Sequence, residues 1–139
     1  MQSAQTMVHR ATSIRAKAHR RAEILAEACR FLEDVGFDGF TMQALSKRLG
    51  LAKGTLYLYF ETRETLLLAL LDQKVQAWAQ QLRQTIRAEV TTDEAWARSY
   101  YESVSRDPLF LQLVLRADLN LTSNVPTEAL IAHKRLWAD

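Results

Sequence analysis

Apolar residues recur along almost the whole chain at spacings of three and four, the period of one face of an α-helix. Charged side chains occupy most of the positions between them, and no segment shows the two-residue alternation of a strand. This pattern predicts an all-α protein. The clearest stripe, within a helix predicted at residues 17–35, consists of Ile24, Leu25, Ala28, Phe31, Leu32 and Val35.

Residues 41–63, TMQALSKRLGLAKGTLYLYFETR, have the pattern of two short helices joined by a tight turn. Thr41 is suited to cap the first helix, because its hydroxyl can accept a hydrogen bond from an amide of the first turn. Gly50 is suited to end that helix, because glycine adopts the left-handed conformation at little cost. A second helix resumes within a few residues. Two short helices joined by such a turn form a helix-turn-helix pattern.

Four more helices are predicted after this unit. The first is capped by Thr62 and keeps its apolar spacing to residue 90, a length of about 40 Å at ~1.5 Å per residue. The last is still in full pattern where the chain stops, so we expect the chain to be truncated. Shorter helices are predicted at 94–106, at 109–121 and from 128 onward, with breaks at 91–93 and 122–126.

The chain therefore divides into a flexible tail at 1–14, a three-helix unit at 15–62 and a helical body at 63–139. Residues 1–60 carry nine Lys/Arg against five acidic residues, a charge of +4, whereas the remainder carries nine against eleven, a charge of −2. A positive first part indicates contact with a polyanion. A charge difference this small also arises by chance.

Composition argues against several other classes. The single cysteine, Cys29, excludes an intramolecular disulfide and a cysteine-rich metal site. No apolar run approaches the ~20 residues that span a bilayer, and no apolar segment follows the basic N-terminal residues as in a secretory signal. The sequence contains no His/Cys/acid cluster and no glycine-rich phosphate loop that would indicate an enzyme. We expect no catalytic residue, no metal, no cofactor and no membrane partner.

Residues 21–71 resemble the N-terminal domain of the TetR/AcrR family of transcriptional regulators. The diagnostic parts are the first helix ILAEACRF, the GFDGFT before the second helix, and KGTLYLYF followed by a basic residue and the ETLLLALL helix. The resemblance implies a three-helix DNA-binding domain, joined by a long helix to a ligand-binding and dimerisation domain that is incomplete beside the family's. Either the chain is truncated, as we expect, or its dimer is built differently. The resemblance further implies a cytoplasmic, nucleoid-associated homodimer that represses transcription from a (pseudo)palindromic operator in double-stranded DNA.

The resemblance also implies which residues contact DNA. Thr41 would contact phosphate, Gln43 a base or the backbone, and Arg63 takes the position of a phosphate-contacting lysine. Lysine, arginine and hydroxyl side chains are the groups that protein–DNA interfaces use for phosphate contacts. Base reading needs donors and acceptors in the major groove, and Lys53 and Gln43 are among the few candidates. The residues on the second, recognition helix are Lys53, Gly54, Thr55, Tyr57, Leu58 and Tyr59.

Some of these positions have a structural alternative. Tyr57 and Tyr59 are both compatible with core packing, and we expect Tyr59 to be partly structural and Tyr57 to be a contact. Lys47 and Arg48 either contact the DNA backbone or lie on a solvated helix face.

Two residues depart from the pattern of the family. Ala52 stands where relatives often carry a Ser or Thr cap, a loss of about 1 kcal/mol of capping. Leu58 is apolar at an exposed position, where it either meets a thymine methyl group or is simply tolerated.

Beyond residue 72 the resemblance carries no individual residue over. The aromatic residues there are either core or the lining of a pocket for an apolar or aromatic effector of unknown identity. They are Trp78, Trp96, Tyr100, Tyr101 and Phe110. The sequence thus favours a ligand-responsive repressor. The alternative is a non-catalytic helical ligand-binding or scaffold protein with a relic helix-turn-helix.

Overall fold

The computed structural model describes residues 2–89, 92–117 and 124–136. Every regular element in these ranges is a helix, which confirms the predicted all-α class. The helices form two compact units, Met1–Tyr59 and Phe60–Asp139. No helix within the described ranges is long and apolar enough to cross a membrane.

The first unit contains three helices, α1 (Gln2–Gly39), α2 (Met42–Leu49) and α3 (Lys53–Tyr59). Helix α2 packs against both α1 and α3. Residues 2–14 belong to α1, although the sequence predicted a flexible tail there and a helix only from residue 17. This segment has no apolar period, but it contains no Gly or Pro, and six of its thirteen residues are good helix formers, so its helix propensity is compatible with a helix.

The regular turns of α1 end at Gly36, where the sequence predicted a stop. Gly36 has φ 70° and ψ 179°, a conformation that L side chains rarely adopt. Phe37 and Phe40, which follow it, are both buried, and the ring centroid of Phe40 lies 5.4 Å from that of Phe31. The two phenylalanines close the core of the unit.

The core of the first unit uses the apolar stripe of α1. Five of its six residues are buried, and only Val35, in the last turn before Gly36, is largely exposed. From the short helices, Leu45 and Leu56 are both fully buried. Burial of a leucine side chain stabilises a fold by about 1.5–3 kcal/mol, so these two leucines account for much of the attachment of such short helices.

The second unit contains α4 (Arg63–Glu89), α5 (Asp93–Ser105), α6 (Pro108–Arg116) and α7 (Thr127–Leu136). Helix α4 packs against the other three, and α5 also packs against α6. The four predicted helices are confirmed. The predicted ends at residues 90 and 121, and parts of the breaks at 91–93 and 122–126, lie outside the described residues.

Side-chain caps begin three of these helices. Thr62 accepts a hydrogen bond from the amide of Thr65 at 3.0 Å, and Thr92 accepts one from Ala95 at 3.2 Å. Asp107 accepts one from Phe110 at 3.0 Å. The Thr62 cap is the one predicted above, and Thr92 and Asp107 are the same kind of residue standing directly before a helical period.

Two polar pairs connect α4 to its neighbours. Lys74 Nζ lies 2.5 Å from Asp107 Oδ2 at the start of α6, and Asp72 hydrogen-bonds the buried His133 of α7. Burial of the Asp107 carboxyl raises its pKa, but the hydrogen bonds from Lys74 and the Phe110 amide outweigh burial, so the pKa is lowered.

Candidate nucleic-acid interface

Helix α2 begins at a side-chain cap, as predicted. Thr41 has the extended backbone of an N-cap residue, and its Oγ1 accepts a hydrogen bond from the amide of Ala44 at 3.1 Å. A hydroxyl that accepts one bond still carries an O–H donor, and Thr41 is exposed. Gln43 is exposed in the same first turn. A hydroxyl donor and a carboxamide are therefore presented together at this helix end.

The turn after α2 has the geometry that the glycine predicted. Gly50 is left-handed, with φ 64° and ψ 28°. Its amide donates to the carbonyl of Lys47 at 3.2 Å, and the amide of Leu51 donates to that of Ser46 at 2.9 Å. These two bonds form a Schellman motif, which ends a helix and fixes the direction of the chain after it. Ser46 is buried, in keeping with its small size.

Helix α3 has an exposed face and a buried face. Leu56 is fully buried, and Thr55 and Tyr59 are half-buried beside it. Tyr57 is exposed, so burial follows the division that we expected between the two tyrosines. The exposed residues of the helix are Lys53, Gly54, Tyr57 and Leu58.

The exposed face of α3 combines charge, an aromatic ring and an open patch. Lys53 Nζ lies 5.8 Å from the centroid of the Tyr57 ring, a distance at which cation and ring attract each other. A Cβ atom built on Gly54 would meet no atom within 4 Å. One turn later, 80% of the Leu58 side chain is exposed. The protein itself uses neither residue for packing.

The start of α3 lacks a side-chain cap. The carbonyl of Ala52 accepts bonds from the amides of Thr55 at 3.0 Å and Leu56 at 3.3 Å, which places Ala52 at the N-cap position. Alanine has no acceptor to offer the amides of the first turn. The structure thus confirms the position at which the sequence suggested a missing cap.

Arg48 is engaged with α1 and is not an open cation. Its Nε donates to Glu27 Oε1 at 2.7 Å and its Nη1 to Asp34 Oδ2 at 2.7 Å, while the guanidinium lies 4.9 Å from the centroid of the Phe31 ring. The hydrogen bond to Asp34 raises the pKa of Arg48. Glu27 also accepts a hydrogen bond from Arg30. This bond lowers the pKa of Glu27 more than the bond from Arg48 does.

The sequence left two alternatives for Arg48, contact with the DNA backbone or a solvated helix face, and neither included these ion pairs. The partners lie 21 and 14 residues away in the sequence, so no local period pointed to them. Lys47, the preceding residue, is exposed and stays a candidate for phosphate contact.

Arg63 belongs to the second unit. It is the first residue of α4 and is half-buried. Its assignment as a phosphate contact stays a prediction.

Four of the five aromatic residues named for an effector pocket lie in one row. Trp96 stacks on Tyr100 with centroids 5.4 Å apart, and Trp78 lies 5.8 Å from both Tyr100 and Phe110. Trp78 Nε1 also donates to Ser103 Oγ at 3.0 Å. Tyr101, by contrast, has 72% of its side chain exposed. The row runs from buried Phe110 to half-exposed Trp96.

A separate groove of about 380 Å³ follows a polar face of α5 and contains none of the five aromatic residues. It is lined by Thr92, Glu94, Ala95, Arg98, Ser99 and Glu102.

Two family models match adjacent parts of the chain. Residues 24–70 match the model for bacterial regulatory proteins of the tetR family. Residues 72–139 match the model for a tetracyclin repressor-like C-terminal domain. The matches together cover nearly all of the second unit and the helix-turn-helix of the first.

Individual relatives are more distant. The fatty acid metabolism regulator protein of Bacillus subtilis (strain 168) is 26% identical over 81 residues, which are 58% of this chain and 42% of that protein. The solved structure of the regulatory protein SCO4313 has a TM-score of 0.66 at 22% identity, over 89% of this chain and 60% of the other. That of the fatty acid degradation regulator FadR from Bacillus halodurans has a TM-score of 0.56 at 19% identity, over 86% and 60%. The chain thus spans about half of these relatives.

Proposed function

Because the chain belongs to the TetR family of bacterial regulatory proteins, we propose that it binds double-stranded DNA and represses transcription. The observation that carries the proposal is the exposed face of α3, which follows a capped α2 through a Schellman turn. In a helix-turn-helix the second helix enters the major groove. A helix for this task must leave one face free of packing, and α3 does so.

The contacts that we propose divide into two kinds. Thr41, Lys53 and Arg63 supply hydroxyl and charged donors to phosphates, which give affinity and salt dependence without sequence preference. Gln43 contacts either a base edge or the DNA backbone. Only a base contact would contribute to sequence specificity. Tyr57 adds a hydroxyl donor on the exposed face of α3.

We propose a homodimer as the binding species. Proteins of this class contact two half-sites about 34–36 Å apart, one turn of DNA, so the operator is expected to be (pseudo)palindromic. A stoichiometry of two chains per duplex, measured by sedimentation of the complex, is the expected result. One chain per duplex at saturation contradicts the dimer.

Fluorescence anisotropy with duplexes from upstream of the encoding gene tests DNA binding, over a series of salt concentrations. Affinity is expected to fall steeply as salt rises, and Lys53→Ala should reduce the slope of log K against log salt by about 0.9, the effect of one lost phosphate contact. The exposed Arg106 of the second unit provides the matched control, as Arg106→Ala should leave the slope unchanged. No binding at low salt contradicts the proposed function.

Arg63 and Gln43 are distinguished by the same measurement. Arg63→Ala is expected to weaken binding to all duplexes alike, because a phosphate contact carries no sequence information. Gln43→Ala should change the preference among duplexes if its amide meets a base. Equal loss on every duplex for both variants contradicts the base assignment of Gln43.

The effector that we propose is apolar, and a fatty acyl chain is the first candidate. Support comes from the row Trp96–Tyr100–Trp78–Phe110 and from two relatives that regulate fatty acid metabolism or degradation. Titration with a long-chain fatty acid and its coenzyme A ester should change tryptophan emission and DNA affinity together. Trp78→Leu should remove both responses, whereas Tyr101→Phe, outside the row, should retain them.

Family membership favours a regulator over a scaffold with a relic helix-turn-helix, and it implies a non-enzymatic role. We place the protein in the cytoplasm with the chromosome, since its proposed partner is DNA.

A further inference from the structure

We propose that Leu58 recognises thymine in the operator, by contact with the C5 methyl group of the base. The inference rests on the proposed DNA binding and adds the class of base that α3 selects. It is carried by the exposure of Leu58, by the open patch over Gly54, and by the chemistry of the other exposed side chains of α3.

Leu58 contributes almost nothing to the folded core. At 80% exposure it is the most exposed of the large hydrophobic residues that the structure describes. A solvated leucine gains none of the transfer free energy that apolar burial provides. Contact with an apolar group of a partner would supply that burial.

The patch over Gly54 provides the space for such a group. Residues four apart lie on the same face of a helix, and a helical side chain leans over the turn before its own Cα. The side chain of Leu58 therefore borders the position at which Gly54 has no side chain. A Cβ atom on Gly54 would meet nothing within 4 Å, so the patch is open to solvent. Leu58 and the open space beside Gly54 therefore leave room for an apolar group of a partner, and we call this place the recess.

Apart from Lys53, the remaining exposed residues of α3 do not favour another base. Lys53 can also donate to guanine, and we assign it to phosphate; none of the exposed residues of α3 carries the carboxamide that pairs with adenine or the guanidinium that pairs with guanine. Among the base edges of the major groove, the thymine methyl is the apolar feature. Lys53, on the same face, supplies the positive charge that brings the recess against DNA.

Deoxyuridine differs from thymidine only by this methyl group and therefore isolates the contact. The probe is a duplex selected from a random library by the 139-residue protein itself. Each thymine is then replaced in turn by deoxyuridine, and affinity is measured by anisotropy. For the wild type, at least one replacement per half-site should weaken binding about fourfold, the equivalent of one buried methylene group.

Two leucine variants decide whether Leu58 makes the contact. Leu58→Ala should bind the thymine and deoxyuridine duplexes equally, and its melting temperature should match the wild type because the side chain is solvated. Leu115→Ala is the matched control: Leu115 is 65% exposed in the second unit, and this variant should keep the fourfold difference.

The proposal is overturned if no deoxyuridine replacement weakens wild-type binding to the selected duplex. It is equally overturned if Leu58→Ala keeps the same sensitivity to deoxyuridine, since another group then contacts the methyl. Both outcomes leave DNA binding intact. Failure of the proposed function is different, because the library then yields no enriched duplex and binding has no salt dependence; that result removes this inference as well.

Discussion

Arg48 of α2 donates a hydrogen bond from Nε to Glu27 of α1 over 2.7 Å. The same guanidinium reaches Asp34 and covers the ring of Phe31, so three side chains of α1 hold the last turn of α2. Lys47, one residue earlier, is exposed. Two adjacent cations of the same helix therefore have different tasks, one in folding and one available to DNA.

Arg48→Ala is expected to lower the melting temperature by a few degrees, because Glu27 and Asp34 lose a shared partner. Lys47→Ala should leave the melting temperature unchanged and weaken DNA binding at low salt. Thermal unfolding by circular dichroism and anisotropy at two salt concentrations measure both effects. Equal melting temperatures for the two variants contradict a structural role for Arg48.

Gly54→Ala is expected to stabilise the protein by about 0.5–1 kcal/mol and to weaken DNA binding about tenfold, or about 1.4 kcal/mol. Glycine lowers the stability of a helix relative to alanine, and the space around Gly54 is open, so alanine should stabilise the free protein. In the complex, the added Cβ atom would lie where the DNA approaches. Gly50→Ala is the contrasting variant. Its surroundings are equally open, but its φ of +64° costs an L residue about 1–2 kcal/mol. Urea unfolding should therefore give opposite signs for the two alanines.

Ala52→Ser is expected to raise the free energy of unfolding by about 1 kcal/mol, because serine can accept a hydrogen bond from the uncapped first turn of α3. Thr41→Ala removes the corresponding cap of α2 and should lower it by a similar amount. Urea unfolding measures both. If Ala52→Ser brings no gain, solvent already satisfies those amides.

Asp107→Asn is expected to lower stability at neutral pH by about 1 kcal/mol, allowing for the screening of a partly exposed pair. Asparagine can still accept from the amide of Phe110 but loses the charge that faces Lys74. The lowered pKa of Asp107 means that its contribution is complete above the ordinary value of 3.8 and is lost as the pH falls through the folded value. The difference between variant and wild type should therefore shrink in acid.

Unfolding in urea at pH 7 and at pH 3 tests this dependence. Glu102→Gln serves as the control, because Glu102 and Arg106 are 3.9 Å apart and both largely exposed. That variant should differ little from the wild type at either pH. A constant deficit for Asp107→Asn at both pH values means that the ion pair contributes nothing.

Local signals in the sequence determined much of this fold. Thr41, Gly50 and Thr62 each act within three or four residues, and their predicted roles match the observed hydrogen bonds. The sequence does not predict the extension of α1 over residues 2–14, because that segment has no apolar period and only helix propensity favours a helix there.

The sequence does not predict contacts between side chains that are far apart along the chain. Arg48 meets partners 21 and 14 residues away, and His133 meets Asp72 across 61 residues, separations that leave no periodic trace. The open space around Gly54 is likewise a property of the folded surface. A sequence shows that a glycine is present in a helix, but not whether a side chain there would clash.

The tryptophans of the aromatic row belong to the second unit, so tryptophan fluorescence distinguishes this unit from the first. Tryptophan occurs only at positions 78, 96 and 137, so indole emission comes from residues 60–139 alone, whereas helical ellipticity comes from both units. A melt followed by emission therefore reports one unit, and a melt followed by ellipticity reports the sum. The gap between the two curves measures how far the first unit unfolds on its own, without any label or truncation.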